Sequence, residues 1–183
     1  GLRLKQQHVD VVIGYLEPHD RPETMALAEH LETVPPREWR VGDAVFHEMD
    51  VEAILARKPQ VVLVDELAHT NADGSKNDKR YSDVLEVLAQ GINVISTINV
   101  QHLESVAARV EEATGIAVRE RIPDTVLRRA DQVVNVDVTK EELRERLRQG
   151  KIYAPQQAER ALSSFFTYEN LSFLRELCLR EAS

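Results

Sequence analysis

The sequence predicts an α/β fold with a mainly parallel β-sheet, flanking helices and a helical C-terminal segment. Short runs of apolar, mostly β-branched residues alternate along the chain with segments of helical periodicity. The run at residues 61–64 contains no polar residue, which is typical of a strand covered by helices on both faces. Residues 155–181 are mostly helical in pattern and carry more apolar side chains than one exposed helix needs.

The predicted elements follow one another with short connections. Strands are predicted at residues 9–16, 61–64, 92–100, 116–121 and 132–138, and a hairpin or a single bent strand at residues 37–48. Helices are predicted at residues 22–33, 51–57, 81–90, 101–114, 125–129, 139–149 and 155–181. The expected inner face of the helix at residues 22–33 consists of Met25, Leu27, Ala28 and Leu31. Asp50 and Thr139 are expected to cap the helices that follow them.

The composition restricts the classes of function. The chain has 183 residues and a formal net charge of −8, so it can bury a core and has no general affinity for nucleic acid or anionic lipid. Cys178 is its only cysteine, which excludes an internal disulfide and a cysteine-based zinc cluster. No apolar run approaches the length of a bilayer-spanning helix, so we expect no direct membrane insertion. The chain begins at Gly1 without a methionine, and we expect it to be part of a longer protein.

The expected domain organisation is a single structural domain overall. Residues 1–150 are predicted to form the α/β part. Residues 151–183 are predicted to be helices that pack on this part or on the next domain. The apolar side chains between Phe165 and Leu179 then lie in a core or on a surface for a neighbouring domain.

Two adjacent carboxylates follow the apolar run at residues 61–64. In parallel sheets, ligands bind beyond the carboxyl ends of the strands, where Asp65 and Glu66 are expected to lie. The pattern is that of a Walker B strand, in which the first acid holds Mg²⁺ and the second orients or deprotonates an attacking water. The alternative interpretation is a buried strand that ends in two solvated acids, because an apolar run followed by aspartate is common.

Further polar residues follow the neighbouring predicted elements. Thr97 and Asn99 end the next strand, where a polar residue beside Walker B can sense the γ-phosphate of a nucleotide. The alternative for Asn99 is capping of the following helix. Lys79 and Arg80 lie in a loop near the same edge and could contact phosphate. The alternative for them is a solvated loop.

A polar cluster, Glu17-Pro-His19-Asp-Arg21, follows the first predicted strand. In one interpretation these side chains belong to a ligand site at the end of the strand. In the other they form a turn and an N-cap, with Asp20 as the capping residue and Pro22 in the first helical turn. Both interpretations stay open, because one set of residues can serve both roles.

A Walker B strand normally works with a phosphate-binding loop of the form GxxxxGK[ST]. This sequence contains none: Gly150-Lys151 is followed by Ile152, and Glu145 stands where the first glycine belongs. Either the chain is not a P-loop protein, or the first strand and its loop lie upstream of Gly1.

Several specific motifs occur here in one order and favour the second possibility. They include Val64-Asp-Glu-Leu-Ala-His-Thr-Asn71, Thr97-Ile-Asn-Val-Gln-His-Leu-Glu-Ser105, Gly150-Lys-Ile-Tyr153 and Gln157-Ala-Glu-Arg-Ala161. With these motifs, nearly the whole chain resembles the N-terminal cytoplasmic domain of the KdpD family, the osmosensitive potassium-channel sensor histidine kinases of bacteria.

The resemblance implies a P-loop NTPase-like domain that binds ATP and Mg²⁺ and modulates the kinase and phosphatase activities of its parent. Asp65 is then expected to serve the metal and Glu66 to act on water or substrate. Where the family usually has Glu-Thr-His-Gly-Arg, this chain keeps Glu17, His19 and Arg21, which we carry over as nucleotide-site candidates.

The resemblance also implies partners and a location. The parent would be a sensor in the inner (plasma) membrane, with this domain on its cytoplasmic side, and would pass phosphate to the response regulator KdpE. The kinase core is not in this chain. Expected partners are nucleotide, the other domains of the parent and a second copy in a homodimer, but no nucleic acid. The alternative is an interaction module that binds no nucleotide and docks onto neighbouring domains through its C-terminal helices.

Overall fold

The computed structural model describes residues 1–17, 19, 21–153 and 155–182, apart from the side chains of Val41 and Pro155. The strands are β1 Val11–Tyr15, β2 Glu32–Thr33, β3 Arg37–Val41, β4 Ala44–Glu48, β5 Val61–Val64 and β6 Asn93–Ser96. The helices are α1 Leu2–Gln6, α2 Pro22–Ala28, α3 Val51–Arg57, α4 Arg80–Ala89, α5 Glu104–Thr114, α6 Asp124–Leu127, α7 Lys140–Arg148, α8 Pro155–Ser163 and α9 Tyr168–Glu181, with a 3₁₀ helix at Val100–His102.

The chain divides into two compact units, Gly1–Ile98 and Asn99–Ser183. The limit that we predicted at residue 150 falls inside the second unit. None of the helices that the structure describes is long and apolar enough to span a bilayer.

The first unit contains a parallel sheet in the order β2-β1-β5-β6, which confirms the predicted α/β class. Val62 at its centre lies opposite Val12 on one side and Val94 on the other. Val12 and Val62 are completely buried in the core on the face of the sheet that α3 and α4 cover. Ile54 of α3 and Val87 of α4 complete this core and are also fully buried.

The predicted hairpin is present: β3 and β4 pair antiparallel, with Trp39 opposite Phe46. The Trp39 ring nitrogen donates a hydrogen bond to the carbonyl oxygen of Asp73 at 2.7 Å. Gly74 has φ +86° and lies so close that a Cβ there would be 3.4 Å from the ring. The hairpin therefore supports the loop that follows β5.

Two predicted helix caps are confirmed. The Asp50 side chain accepts a hydrogen bond from Ala53 N at 3.0 Å, and Thr139 accepts one from Glu142 N at 3.2 Å. Asp20 lies outside the described residues. Arg21 occupies the N-cap position of α2 without a capping side-chain hydrogen bond.

The helix predicted at residues 22–33 is too long, and half of its predicted inner face is wrong, although Ala28 and Leu31 are partly buried. It ends at Ala28, and Glu32–Thr33 form β2 because they pair with Val12 and Ile13 of β1. Met25 and Leu27 are 46% and 58% exposed. The chain after Ala28 therefore pairs with the edge of the sheet instead of continuing the helix.

The strands predicted at residues 116–121 and 132–138, all of which the structure describes, do not form. Beside the first segment there is only an isolated bridge between Leu103 and Ile122. In the second, Val134 and Val136 are 68% and 83% exposed. A strand needs a hydrogen-bonded neighbour, and these segments have the strand pattern without that neighbour.

Candidate functional site at the carboxyl edge of the sheet

The carboxyl edge is formed by the residues that directly follow β1, β5 and β6. Asp65 continues β5, and its N–H donates to the carbonyl oxygen of Tyr15 at 3.0 Å. Leu67 N donates to the carbonyl oxygen of Thr97 at 3.0 Å, which ties the same segment to the end of β6. Asp65 and Glu66 therefore lie at the central position of the edge, where the sequence predicted them.

Side chains and backbone from three adjacent strands converge on the Asp65 carboxylate. Its Oδ1 accepts hydrogen bonds from the Thr97 hydroxyl and from Glu66 N, the latter at 3.1 Å. Its Oδ2 is 3.4 Å from Glu17 N, a long contact that leaves this oxygen weakly occupied. Glu66 N also approaches Thr97 Oγ1 at 3.2 Å. The edge thus presents a half-buried carboxylate that is oriented by its neighbours.

Glu66 has an unusual backbone conformation. Its φ is +52°, a left-handed conformation that costs a residue with a Cβ roughly 1–2 kcal/mol. Its carboxylate faces outward, with 39% of the side chain exposed, and Oε1 lies 3.0 Å from His19 Nε2. Such strain concentrates at functional sites, where the surrounding structure maintains it.

His19 and Glu17 are brought to this edge, as predicted. The His19 side chain is 49% exposed, and its backbone φ is +46°. Glu17 Oε2 lies 3.4 Å from the Tyr15 hydroxyl, and its Oε1 lies 3.4 Å from His19 N. Within the described residues, the buried Nε of Arg21 has no hydrogen-bond partner.

Lys79 and Arg80 are adjacent in the chain but differ in burial and in their contacts. Lys79 is half-buried, and its ammonium donates to Thr70 Oγ1 at 2.6 Å. The Arg80 side chain is completely buried, so it is not the solvated loop cation of the alternative interpretation. Its Nη1 lies 4.0 Å from Glu66 Oε2, and the phosphate contact that the sequence suggested stays a prediction.

The buried surroundings of Arg80 were missed by sequence reasoning. Its Nη2 lies 3.3 Å from Glu48 Oε2, and its guanidinium lies 3.6 Å from the centre of the Tyr15 ring. Glu48 is 7% exposed and also contacts His69 Nε2 at 3.2 Å and Ala72 N at 2.8 Å. Glu48 and Arg80 are 32 positions apart, and no local pattern of the sequence pairs them.

Two pKa values reflect this enclosed environment. Burial acts to raise the pKa of Glu48, but hydrogen bonds from His69 and Ala72 and the charge of Arg80 outweigh it and lower that pKa. Burial raises the pKa of Tyr15, and the nearby Arg80 charge only partly opposes this. Glu48 is therefore the ionised partner of Arg80, while Tyr15 stays neutral.

The loop after β5 is not freely solvated. Asn71 Nδ2 donates to Asp83 Oδ2 and Asn77 Nδ2 to Asp83 Oδ1, both at 2.7 Å. Burial raises the pKa of Asp83, and the two amides partly offset it. These contacts fix the loop on α4, on which Arg80 is the first residue.

Asn99 belongs to the second unit and is the N-cap residue of the 3₁₀ helix. Its side chain makes no capping hydrogen bond, and the N-cap position of α5 is held by Leu103. The alternative interpretation, in which the Asn99 side chain caps the helix predicted at residues 101–114, is therefore wrong. Its predicted role as a phosphate sensor stays a prediction.

The donor set suits Mg²⁺ but does not form a complete protein site. Within the part of the chain that the structure describes, no three histidine, cysteine, aspartate or glutamate side chains come together to hold a metal. Asp65 and Thr97 nevertheless offer hard oxygen atoms side by side. Mg²⁺ commonly uses one or two carboxylates together with water and substrate phosphates, so these residues fit it.

Comparison with known proteins agrees with the motifs. The family profile described as KdpD, osmosensitive K⁺ channel His kinase sensor domain, matches residues 1–183. The chain is 55% identical over 183 residues to the putative sensor protein KdpD of Synechocystis sp.. It is 52% identical over 177 residues to the sensor protein KdpD of Mycobacterium tuberculosis, and 46% identical over 181 residues to that of Escherichia coli.

These alignments cover almost all of this chain but only part of each relative. They include 100%, 97% and 99% of the chain, and 50%, 21% and 20% of the Synechocystis, Mycobacterium and Escherichia proteins, respectively. The predicted resemblance is confirmed, and the chain belongs to the KdpD family of osmosensitive K⁺ channel histidine kinase sensor domains.

Proposed function

We propose that this chain is a regulatory ATP-binding domain of a bacterial two-component histidine kinase that controls the response to potassium or osmotic stress. The observation that carries the proposal is the convergence of Glu17 N, the Thr97 hydroxyl and the Asp65 carboxylate at the carboxyl edge. A parallel sheet binds its ligands at this edge. The exposed Glu66 beside it supplies a second carboxylate.

Each side chain of the edge has a distinct proposed role. Asp65 is the Mg²⁺ ligand, and Thr97 orients the Asp65 carboxylate and senses phosphate. Glu66 positions water or substrate, and His19 contacts the Glu66 carboxylate when no nucleotide is bound. Lys79, Glu17 and Arg21 are proposed to line the nucleotide site.

The role of the whole protein follows from the family. We propose that the domain lies on the cytoplasmic side of a membrane sensor. Nucleotide binding there would modulate the kinase and phosphatase activities that control the response regulator KdpE. Contacts with other domains of the parent, and between two copies of the domain, would carry the signal.

The test is calorimetric titration of Mg²⁺-ATP into this chain and into a version extended upstream to include the expected phosphate-binding loop. We expect binding by the longer version and loss of its Mg²⁺ dependence in Asp65→Asn. The matched control is Asp43→Asn, which removes the same charge from an exposed turn of the hairpin. Unchanged Mg²⁺ dependence in Asp65→Asn would contradict the assignment of Asp65.

A second candidate function is docking to neighbouring domains without nucleotide. It is favoured by apolar side chains that remain exposed in the second unit, such as Val134, Val136 and Leu179 at 68%, 83% and 50%. Absence of binding by both versions in the same titration would favour this candidate.

A further inference from the structure

Arg80 presents a problem of energetics. Its side chain has no exposed surface, and its Nε has no hydrogen-bond partner among the described residues. A buried charge is costly even when it is paired, and an apolar pair of similar size is often at least as stable. The stability of the core alone therefore does not explain why an arginine lies here.

The Nη1 nitrogen of Arg80 faces the backbone carbonyl groups of Asp65 and Glu66. While Nη2 faces Glu48, Nη1 lies 3.3 Å from the carbonyl oxygen of Asp65 and 3.5 Å from that of Glu66. The planar fork of arginine can serve two such targets at once, which a lysine ammonium on its flexible stem does less well. Tyr15 covers the flat face of the fork.

These carbonyl contacts determine where the following N–H groups point. In a trans peptide the C=O and the next N–H point in opposite directions. With the carbonyl of Asp65 turned inward to Arg80, the N–H of Glu66 points outward to Asp65 Oδ1 and Thr97 Oγ1. With the carbonyl of Glu66 turned inward, Leu67 N points to the Thr97 carbonyl. The left-handed φ of Glu66 is part of this arrangement.

We infer that Arg80 is a positioning residue for the Mg²⁺-nucleotide site. Through the two carbonyl groups it fixes the Asp65–Glu66 backbone in the strained conformation, and its Nη1 also lies 4.0 Å from Glu66 Oε2, so it holds the Glu66 side chain from the inner side. Glu48, at the end of β4, pairs with the Arg80 charge and thereby connects Arg80 to the hairpin. The inference rests on the proposed nucleotide site for its purpose, but not for its geometry.

The test separates positioning from stability with three variants. Arg80→Met removes the donor and leaves the buried Glu48 carboxylate with His69 and Ala72 as its contacts. Glu48→Gln with Arg80→Met also removes this buried charge, so it is expected to recover much of the lost thermal stability. Val87→Ala, at a fully buried position of the same helix, destabilises the core without touching the carboxylates.

The first readout is hydrogen exchange of the Glu66 and Leu67 amides, measured by NMR in this chain without nucleotide. We expect both amides to exchange faster, relative to the core amides of β5, in Arg80→Met and in the double variant. In Val87→Ala we expect their protection relative to the core to be unchanged. Equal relative protection in the wild type and the double variant would overturn the inference.

The second readout is the Mg²⁺ dependence of nucleotide binding in the extended version. Loss of an outer-shell partner typically weakens metal binding ~10- to ~100-fold, and we expect this in both Arg80 variants. Recovery of Mg²⁺ affinity together with stability in the double variant would show a merely structural role. If the wild type does not bind Mg²⁺-ATP, the proposed function fails, and the amide exchange alone decides the inference about Arg80.

Discussion

The carboxyl edge has an inner and an outer side, and each side contains a glutamate that contacts a basic side chain. On the inner side, Glu48 and Arg80 are buried and paired. On the outer side, Glu66 and His19 also form an acid–base pair, at 3.0 Å, but their side chains are 39% and 49% exposed. The inner pair is expected to contribute to folding, whereas water screens the outer pair and leaves it available to a ligand.

The largest expected effect is a difference in the free energy of unfolding between matched substitutions on the two sides. Glu48→Gln leaves the buried Arg80 with only the longer contact to Glu66 Oε2, at 4.0 Å, and should lower the free energy of unfolding by about 3 kcal/mol. Glu66→Gln removes an exposed charge and should change it by no more than ~0.5 kcal/mol. Urea unfolding of both variants checks this, and equal losses would remove the distinction between the sides.

The pH dependence of stability should show the same distinction. The folded-state pKa of Glu48 lies below its ordinary value of 4.5, so the unfolded chain binds the proton more readily than the folded one. The stabilisation by Glu48 is therefore complete above pH 4.5 and is lost as the pH falls through the lower folded-state pKa. Unfolding midpoints between neutral and acidic pH should fall less steeply in Glu48→Gln than in the wild type. An identical slope would contradict the role of Glu48.

The smallest expected effect has the opposite sign. Glu66→Gly should relieve the left-handed strain, which is partly offset by the greater freedom of glycine in the unfolded chain, and should raise stability by about 0.5 kcal/mol. Thermal unfolding measures this change. Loss of stability instead would mean that the Glu66 carboxylate belongs to the folding interactions, as Glu48 does.

The outer side could be predicted from sequence, but the inner side could not. Asp65 and Thr97 directly follow the neighbouring strands β5 and β6, so strand order alone brings them together. Glu48 ends a hairpin and Arg80 follows a polar loop, and both local patterns predict solvent exposure. Their burial depends on how the hairpin and α4 meet in three dimensions, which no local spacing encodes.

The strands illustrate the same limit. Residues 61–64 and 132–138 are both rich in valine, but only the first segment has strands on both sides to pair with. The α/β class was predictable because three such segments, β1, β5 and β6, do form. Whether a segment pairs depends on a neighbouring strand in the fold. The sequence pattern of residues 132–138 does not show that such a neighbour is missing.

The position of Trp39 gives the protein an optical reporter of its own. It is the only tryptophan of the chain, and its ring nitrogen donates a hydrogen bond to the carbonyl oxygen of Asp73 in the loop. Indole emission responds to hydration and to hydrogen bonding at this nitrogen. Movement of the loop that leads to Lys79 would therefore change the intrinsic fluorescence, and such movement could be followed in real time without an added dye.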